Sequence, residues 1–488
     1  MGLPKIDRQC GLPLQMQIYQ YYRQKMHEGV YLSGDKLPSV RELSRELKVA
    51  RITVTLAYEK LLINNYIKSV RGIGYQVIFD KPIRLASQKS PRTKNSNSFI
   101  PDTIKTPDDL YVESSTEIYS QISIPDSTAY PWANWKTWNN TPSIKKIELA
   151  TRYHSPSGLL ELKEEISRHL YTSRNINVAS KCIIITNGIQ EGLSLLAQLF
   201  TFKKSSTDIS PCHIVTESPC YSGAWHVFNY YGAKITCVNV DKNGLCVNQL
   251  PKEATHLCYV TPSHQYPLGC RLSLARRKTL LQWALLTGAY IIEDDYDSEF
   301  SYNDNNLPTL KSLDNQDRVI YAGTFSKTLG PGIRLGYLVC PEPLVQVIKN
   351  IKSLNNSGSN WIQQQFIADF MRSRAFHNHL SRLSVMYRER QNHLHKGLKQ
   401  LFPEGFVWGI NSGLHLSLIS PYSEEYVKKL RKRCLEAGLR FDTLNELQNG
   451  SELKWKENGF SAMFFGFGDL SIQKISQMLI IIEREKIE

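Results

Sequence analysis

No stretch of this 488-residue chain approaches the roughly 18 consecutive apolar residues that a membrane-spanning helix needs. The start, MGLPKIDRQCGLPLQ, has no apolar run of the signal-peptide kind, so neither a membrane span nor a secretory leader is expected. Ten cysteines are scattered without a single C-x-x-C pair, which argues against a disulfide framework or zinc site and for reduced, cytoplasmic thiols. Acidic residues are scarce, 45 against 59 lysines and arginines, and the net charge of +14 admits a polyanionic partner. There is no internal repeat. With 41% apolar residues and a mean hydropathy of −0.33, the composition is that of a water-soluble protein with sizeable cores. The length predicts two or three domains.

The chain divides on composition. Residues 1–80 hold 12 lysines and arginines against 7 acids. From Ala86 to Ser98, ASQKSPRTKNSNS offers no large apolar side chain. Burial there cannot offset the entropy of ordering, so a mobile linker over 81–111 is expected, followed by a body over 112–488.

The head reads as three helices and a hairpin. Leu14 to Glu28 carries apolar residues at helical spacing and stops at Gly29. Ser39, with Glu42 three residues on, forms a capping-box pattern for a second helix, VRELSREL. A third starts around Ala50 and Arg51 and runs to Asn65, a residue type that tolerates the left-handed backbone where a helix stops. YIKSVRGIGYQVIF then reads as a two-stranded wing around Gly72 and Gly74. Two helices joined by a short turn can lay the second in a major groove with its first residues toward the base edges. The candidate DNA-contacting residues are Arg41, Arg51, Thr53, Thr55, Arg71 and Gly72; on pattern alone a small packing module with solvated charges is the alternative. The wording LPS-x-REL, T-V-x-x-A-Y-x-x-L and G-x-G-Y resembles the winged helix-turn-helix of the GntR regulator family, with Asn65 where that family often has glycine.

The body alternates short β-rich runs with amphipathic segments. KCIIIT (181–186), HIVTES (213–218), AKITCVNV (233–240), THLCYVTP (255–262), AYIIED (289–294), RVIYAG (318–323) and GYLVC (336–340) are the strands expected. EGLSLLAQLF and LARRKTLLQWALLTG are two of the helices between them. That alternation predicts an α/β layer fold with a largely parallel sheet, its functional residues at strand ends and helix starts. TNGIQEGL follows a strand and opens a helix, so amides around Gly188, Ile189 and Gln190 are placed to hold a phosphate. IIEDDYDSEF puts Asp294 and Tyr296 at one strand end, and GTFSKTLGPGIRLGY puts Thr324 and Lys327 at another, with Arg334 seven residues beyond the lysine. The histidine pairs His377/His379 and His393/His395 show no metal-ligand spacing and are expected on a solvated helix face.

Together these motifs resemble a fold-type I, aspartate-aminotransferase-like domain that binds pyridoxal 5'-phosphate, with a large subdomain over about 150–345 and a small one mainly over 375–488. The resemblance implies that Lys327 binds the cofactor covalently, Asp294 pairs with its ring nitrogen and Tyr296 with its ring hydroxyl. It implies that Thr324, Arg334 and the Gly188–Gln190 amides hold the phosphate, that Tyr221 stacks on the ring, and that Tyr153 reaches the phosphate of a partner subunit. The departures are Ile189 where a serine is usual, Tyr266 where an asparagine is usual, and Phe464 where the arginine that clamps a substrate carboxylate is usual. Arg440, in GLRFDTLNE, is a cation from a different segment that could substitute for it.

A GntR head, a polar linker and an aminotransferase-like body resemble the MocR subfamily of bacterial transcription regulators. That implies a cytoplasmic, head-to-tail, domain-swapped homodimer on double-stranded operator DNA. Its body would sense an effector, either pyridoxal phosphate or an amino compound, in the control of a pathway such as vitamin B6 synthesis, rather than turn over substrate. Two other readings stand beside it: an active aminotransferase with an accessory head, and a DNA-binding protein whose body only dimerises.

Overall fold

The computed structural model describes residues 3–4, 6–8, 10–70, 72–79, 118–141, 143–202, 211–297, 299–302, 307–410, 412–448 and 461–486. They fall into two compact units, Met1–Pro101 and Asp102–Glu488. The linker expected over 81–111 and the wing residue Arg71 lie outside the described residues.

The head has helices α1 (Leu14–His27), α2 (Val40–Glu46) and α3 (Arg51–Ile63), then a hairpin of β1 (Ile67–Val70) against β2 (Gly74–Val77). The capping box forms as the sequence predicts: Ser39 Oγ accepts from Glu42 N–H at 3.2 Å and Ser39 N–H donates to Glu42 Oε2 at 3.4 Å. Asn65 takes a left-handed φ of 57°, which ends the helix and turns the chain into β1. Tyr22, Tyr31 and Tyr58 pack around Ile18, Leu43, Val54 and Leu61, and Tyr58 sends its hydroxyl to the Pro38 carbonyl at 2.9 Å. No tryptophan takes part, because all eight lie beyond residue 131.

The body opens with a short strand, β3 (Ile118–Ser120). Its large sheet holds β4 (Ile183–Thr186), β5 (His213–Ser218), β6 (Lys234–Asp241), β7 (Gly244–Leu245), β8 (Leu257–Val260), β9 (Tyr290–Asp294), β10 (Val319–Thr324) and β11 (Gly336–Val339), in the order β4-β11-β10-β9-β8-β5-β6-β7. Strands β10, β9, β8, β5 and β6 are parallel neighbours, while β11 runs antiparallel between β10 and β4. Runs such as IIIT and LCYV are buried along their whole length and need cover on both faces. Leu193, Leu196, Ala224 and Phe228 cover one face; Leu162, Ile166, Phe366 and Ile367 cover the other.

A smaller sheet follows, with β12 (Phe406–Trp408), β13 (His415–Ser420), β14 (Leu439–Thr443) and β15 (Ser461–Gly466). Its order is β12-β13-β15-β14-β3, so the start of the body supplies the edge strand of a layer otherwise built from its end. Helices Arg374–Leu401, Glu424–Glu436 and Ile472–Glu485 pack on it through Leu394, Leu398, Leu430 and Met478. One expectation is corrected here. His379 is not on a solvated face: it is buried, and its Nε2 lies 2.7 Å from the Thr328 carbonyl, because helix Arg374–Leu401 turns that position toward the large sheet. His393 is half-buried against Ser476 Oγ at 2.8 Å. Among the described residues no helix is long and apolar enough to cross a membrane, and no group of three or more metal-ligating side chains is found.

Candidate functional site

The carboxyl ends of β4, β9 and β10 lie along one edge of the large sheet, where open α/β sheets gather their ligand-binding residues. Strand β9 ends in Asp294. Its Oδ2 accepts the Tyr259 hydroxyl at 2.7 Å, while its Oδ1 is buried without a protein partner. Burial pushes this carboxyl up to about 7, against the Tyr259 hydrogen bond that favours the ionised form.

Beyond β10, Lys327 sits on a one-turn helix, Ser326–Leu329. Burial pushes its amine down to about 8, opposed by the carboxylates of Asp297 and Asp294. Lys327 Nζ donates to the Ser123 carbonyl at 2.7 Å and stands 5.9 Å from the centre of the Tyr296 ring. The site therefore holds an amine that deprotonates near neutrality and a carboxylate with one oxygen free to accept.

Beyond β4, Gly188 takes φ 86° and ψ 172°, and the helix Ile189–Thr201 starts on it, so the Ile189 and Gln190 amides are among its unpaired first-turn donors. Arg334, itself at φ 47°, donates from Nη2 to the Asn187 carbonyl at 3.0 Å, and a Cβ added to Gly188 would stand 3.3 Å from that nitrogen. Thr324 Oγ1 donates to Ser326 Oγ at 2.9 Å and accepts the Ser326 N–H at 3.1 Å. Gln190 Nε2 is turned to the Gly223 carbonyl at 3.0 Å, and its Oε1 accepts the Tyr221 hydroxyl at 3.3 Å. Ile189 contributes a backbone amide and no hydroxyl. Gly188→Ala is expected to disturb this cradle doubly. The backbone region is one that only glycine adopts readily, at a cost of about 1–3 kcal/mol for other residues, and the methyl presses on Arg334. Thermal melting and cofactor titration of the variant check both effects.

Aromatic rings wall the site. Tyr266 meets Tyr221 and Tyr296 edge-on, with centroids 5.7 and 5.9 Å apart. Phe464, on β15 opposite Asp442, is wholly buried in a cluster with Ile122, Leu268 and Cys270. Arg440 lies with its guanidinium 4.5 Å over the Tyr119 ring and its Nε buried without a hydrogen-bond partner. Tyr153 stands apart from the other predicted residues: it is 87% exposed, edge-on to Trp361.

Four residues at the site were not singled out from sequence. Tyr259 holds Asp294 from a strand, LCYV, that reads as plain core. His264 Nδ1 lies 2.6 Å from Asp297 Oδ2 and 3.3 Å from the Tyr296 hydroxyl. Asp297 was visible in the same DDYDSEF run as Asp294 and Tyr296, and that acidic repetition was the available signal. Ser123 acts through its main chain, which carries no sequence signal at all.

In the head, Arg41 and Arg51 are exposed, the first at the start of α2 and the second opening α3. Thr53 and Thr55 are half-buried one turn apart or less, and Thr55 Oγ1 donates to the Arg51 carbonyl at 3.1 Å. Gly72 is exposed at φ 80° in the wing turn, a backbone shape that keeps the hairpin tight. The surface presented is an exposed helix start with a β-wing beside it, as in proteins that read a major groove.

Comparison with known proteins bears on both units. Residues 14–77 match the family of bacterial regulatory proteins, gntR family, and residues 126–440 match aminotransferase class I and II. The HTH-type pyridoxine biosynthesis transcriptional regulator PdxR of Corynebacterium glutamicum is 32% identical over 459 residues, covering 93% of this chain and 91% of its own. The probable rhizopine catabolism regulatory protein MocR of Rhizobium meliloti is 31% identical over 389 residues, 79% of this chain and 77% of its own. Among solved structures, the kynurenine aminotransferase of Pyrococcus horikoshii superposes with a TM-score of 0.67 at 23% identity, over 76% of this chain and 91% of its own, which shows the shared fold. The chain belongs to the GntR-type transcription regulators that join a winged helix-turn-helix to an aminotransferase class I and II domain, the MocR subfamily.

Proposed function

We propose that this regulator binds operator DNA through its head and carries pyridoxal 5'-phosphate in its body, and that the cofactor itself is the signal, in the control of vitamin B6 supply. The residues fit the group. Asp294 Oδ1, buried and unpartnered, suits a protonated ring nitrogen; the Gly188 turn, Thr324 and Arg334 suit a phosphate; Tyr221 and Tyr296 suit the ring's face and hydroxyl. When bound, the group supplies a carbonyl for the lysine amine and an electron-withdrawing ring. Lys327 must give up a proton before it reacts, and burial makes that easy. Covalent loading is therefore expected to accelerate as pH rises toward about 8 and to level off above it, because the neutral amine is then fully present. An ordinary exposed lysine would still be accelerating beyond pH 10. Stopped-flow absorbance across that range separates the two.

The observation that carries the choice of signal is Phe464. An α-amino acid ligand needs a fixed cation for its carboxylate, and this position offers a buried aromatic ring; Arg440 is occupied over Tyr119 and shares its strand with Asp442. A desolvated carboxylate without a charged partner is poorly compensated. The role named for the Corynebacterium relative, regulation of pyridoxine biosynthesis, supports this reading, whereas the Rhizobium relative's rhizopine catabolism agrees with the second reading, an amino compound as effector. Operator binding by the cofactor-free protein, the loaded protein and the loaded protein titrated with amines and amino acids tests it. A footprint that responds to loading alone supports the proposal; equal binding by free and loaded protein, with a response to an amino compound, overturns it.

The same reading makes the protein a cytoplasmic homodimer that does not depend on turnover. The exposed Tyr153 is the residue proposed to reach a partner's phosphate site. In the head, Arg51→Ala is expected to weaken operator binding by about 5- to 150-fold, the equivalent of roughly 1–3 kcal/mol for one base contact. Cofactor loading is expected to be unchanged. Fluorescence anisotropy at fixed salt checks the first effect and absorbance titration the second.

A further inference from the structure

The segment from Ile118 to Ser127, which follows the linker in the chain, is a strap that reaches Lys327. Its β3 pairs in parallel with β14, and Ser120 Oγ donates to the Gly466 carbonyl at 2.9 Å. Two glycines let the strap lie close: a Cβ on Gly466 would collide with the Gln121 carbonyl, and one on Gly468 with that of Ile124. Further on, Asp126 pairs with Arg390 at 2.6 Å and its N–H donates to the Tyr387 hydroxyl at 2.9 Å, while Ser127 N–H donates to Asp469 at 2.9 Å. All these anchors belong to the small sheet and the elements that pack on it.

Between the two anchored ends the strap bends sharply. Ser123 takes φ 61°, an uncommon conformation for a residue with a side chain, and its Oγ is buried without a hydrogen-bond partner. That bend presents the Ser123 carbonyl to the large sheet, where Lys327 Nζ donates to it at 2.7 Å. A cavity of about 480 Å³ separates Ile124–Ser127 from the loop Thr328–Ile333, so the strap has room beside this hydrogen bond.

We propose that the Ser123–Lys327 hydrogen bond is a latch that the cofactor opens, and that the strap passes its release to the linker. This rests on the reading of pyridoxal phosphate as the signal. As an amine, Lys327 Nζ carries two hydrogens, or three when protonated. When Nζ bonds to an aldehyde carbon, two of its hydrogens and the aldehyde oxygen leave as water, and the nitrogen keeps at most one. A hydrogen that remains is fixed in the plane of the new double bond and can no longer swing toward Ser123 as on a tetrahedral amine, so the donation to Ser123 is weakened or lost. Ser123 lies only a few residues beyond the start of β3, and the chain before β3 is the covalent connection to the DNA-binding head. The strap therefore couples the chemistry of one lysine to the end of the linker through main chain alone.

Hydrogen exchange of the full-length protein tests the latch, read on peptides spanning Ile118–Ser127. Exchange there is expected to be about 2- to 10-fold faster in the loaded wild type, and in Lys327→Ala without cofactor, than in cofactor-free wild type, as for one lost hydrogen bond. Operator affinity of Lys327→Ala is expected to match the loaded wild type. Lys327→Arg, which keeps donors but cannot form the covalent bond, is expected to stay at the cofactor-free value with or without pyridoxal phosphate. Equal strap exchange in all forms, with loading still altering operator binding, overturns the latch and leaves the signal reading standing. Altered strap exchange with operator binding indifferent to loading overturns the signal reading, and the strap is then not its output.

Discussion

Lys327→Ala protein is expected to retain no pyridoxal phosphate through denaturation after borohydride treatment, whereas wild type retains it covalently. The effect is all or none, because the buried amine beside Asp294 and Asp297 is the nucleophile the site provides and alanine has none. Intact-mass measurement of reduced, denatured protein reads it directly. A wild-type mass unchanged after the same treatment would remove the cofactor assignment altogether, and with it the argument from Phe464. The cradle at Gly188 and Arg334 remains in the variant, so weak, reversible binding of the phosphate is expected to persist and is measurable by equilibrium dialysis.

The second large effect is expected at Asp294. In the cofactor-free protein one of its oxygens is occupied by Tyr259 and the other is unpartnered. A protonated ring nitrogen placed there makes a charge-assisted hydrogen bond in a buried site, worth about 1.5–3 kcal/mol. Asp294→Ala is therefore expected to weaken cofactor affinity by about 10- to 150-fold. The variant is expected to fold, because removing a carboxylate that is costly to bury offsets the Tyr259 hydroxyl that alanine leaves unpaired. Tyr259→Phe separates the roles. It leaves the carboxylate in place but takes away the donor that favours its charged form, so affinity should fall less and more steeply with decreasing pH.

Much of this arrangement was legible in the residues. Ser39 with Glu42, Asn65 and the wing glycines were readable because caps and left-handed turns have strong residue preferences, and each takes the predicted shape. The sheet strands were readable because fully buried parallel strands are short apolar runs with turn residues on either side. What lay hidden has a common cause. Tyr259 is a tyrosine in a strand whose neighbours are all apolar, and its hydroxyl matters only because β8 lies next to β9. His379 sits in a helix with many polar residues, and its burial depends on tertiary packing that helical spacing alone did not reveal. The part played by Ser123 depends on β3 crossing to the far sheet, a long-range pairing that local sequence does not encode.

The aromatic residues of the two units differ in a way that gives the molecule an internal optical label. The head is cored by tyrosine and contains no tryptophan, while the body holds all eight. Emission excited at the red edge of protein absorbance therefore comes from the body alone, whatever the head is doing. A chromophore seated between Tyr221 and Asp294 has Trp225 four residues along the chain from that same ring, on the helix that Tyr221 caps, and would quench it by energy transfer. Cofactor occupancy can thus be followed by tryptophan emission while the head is engaged with unlabelled DNA, and the two equilibria can be titrated in one cuvette.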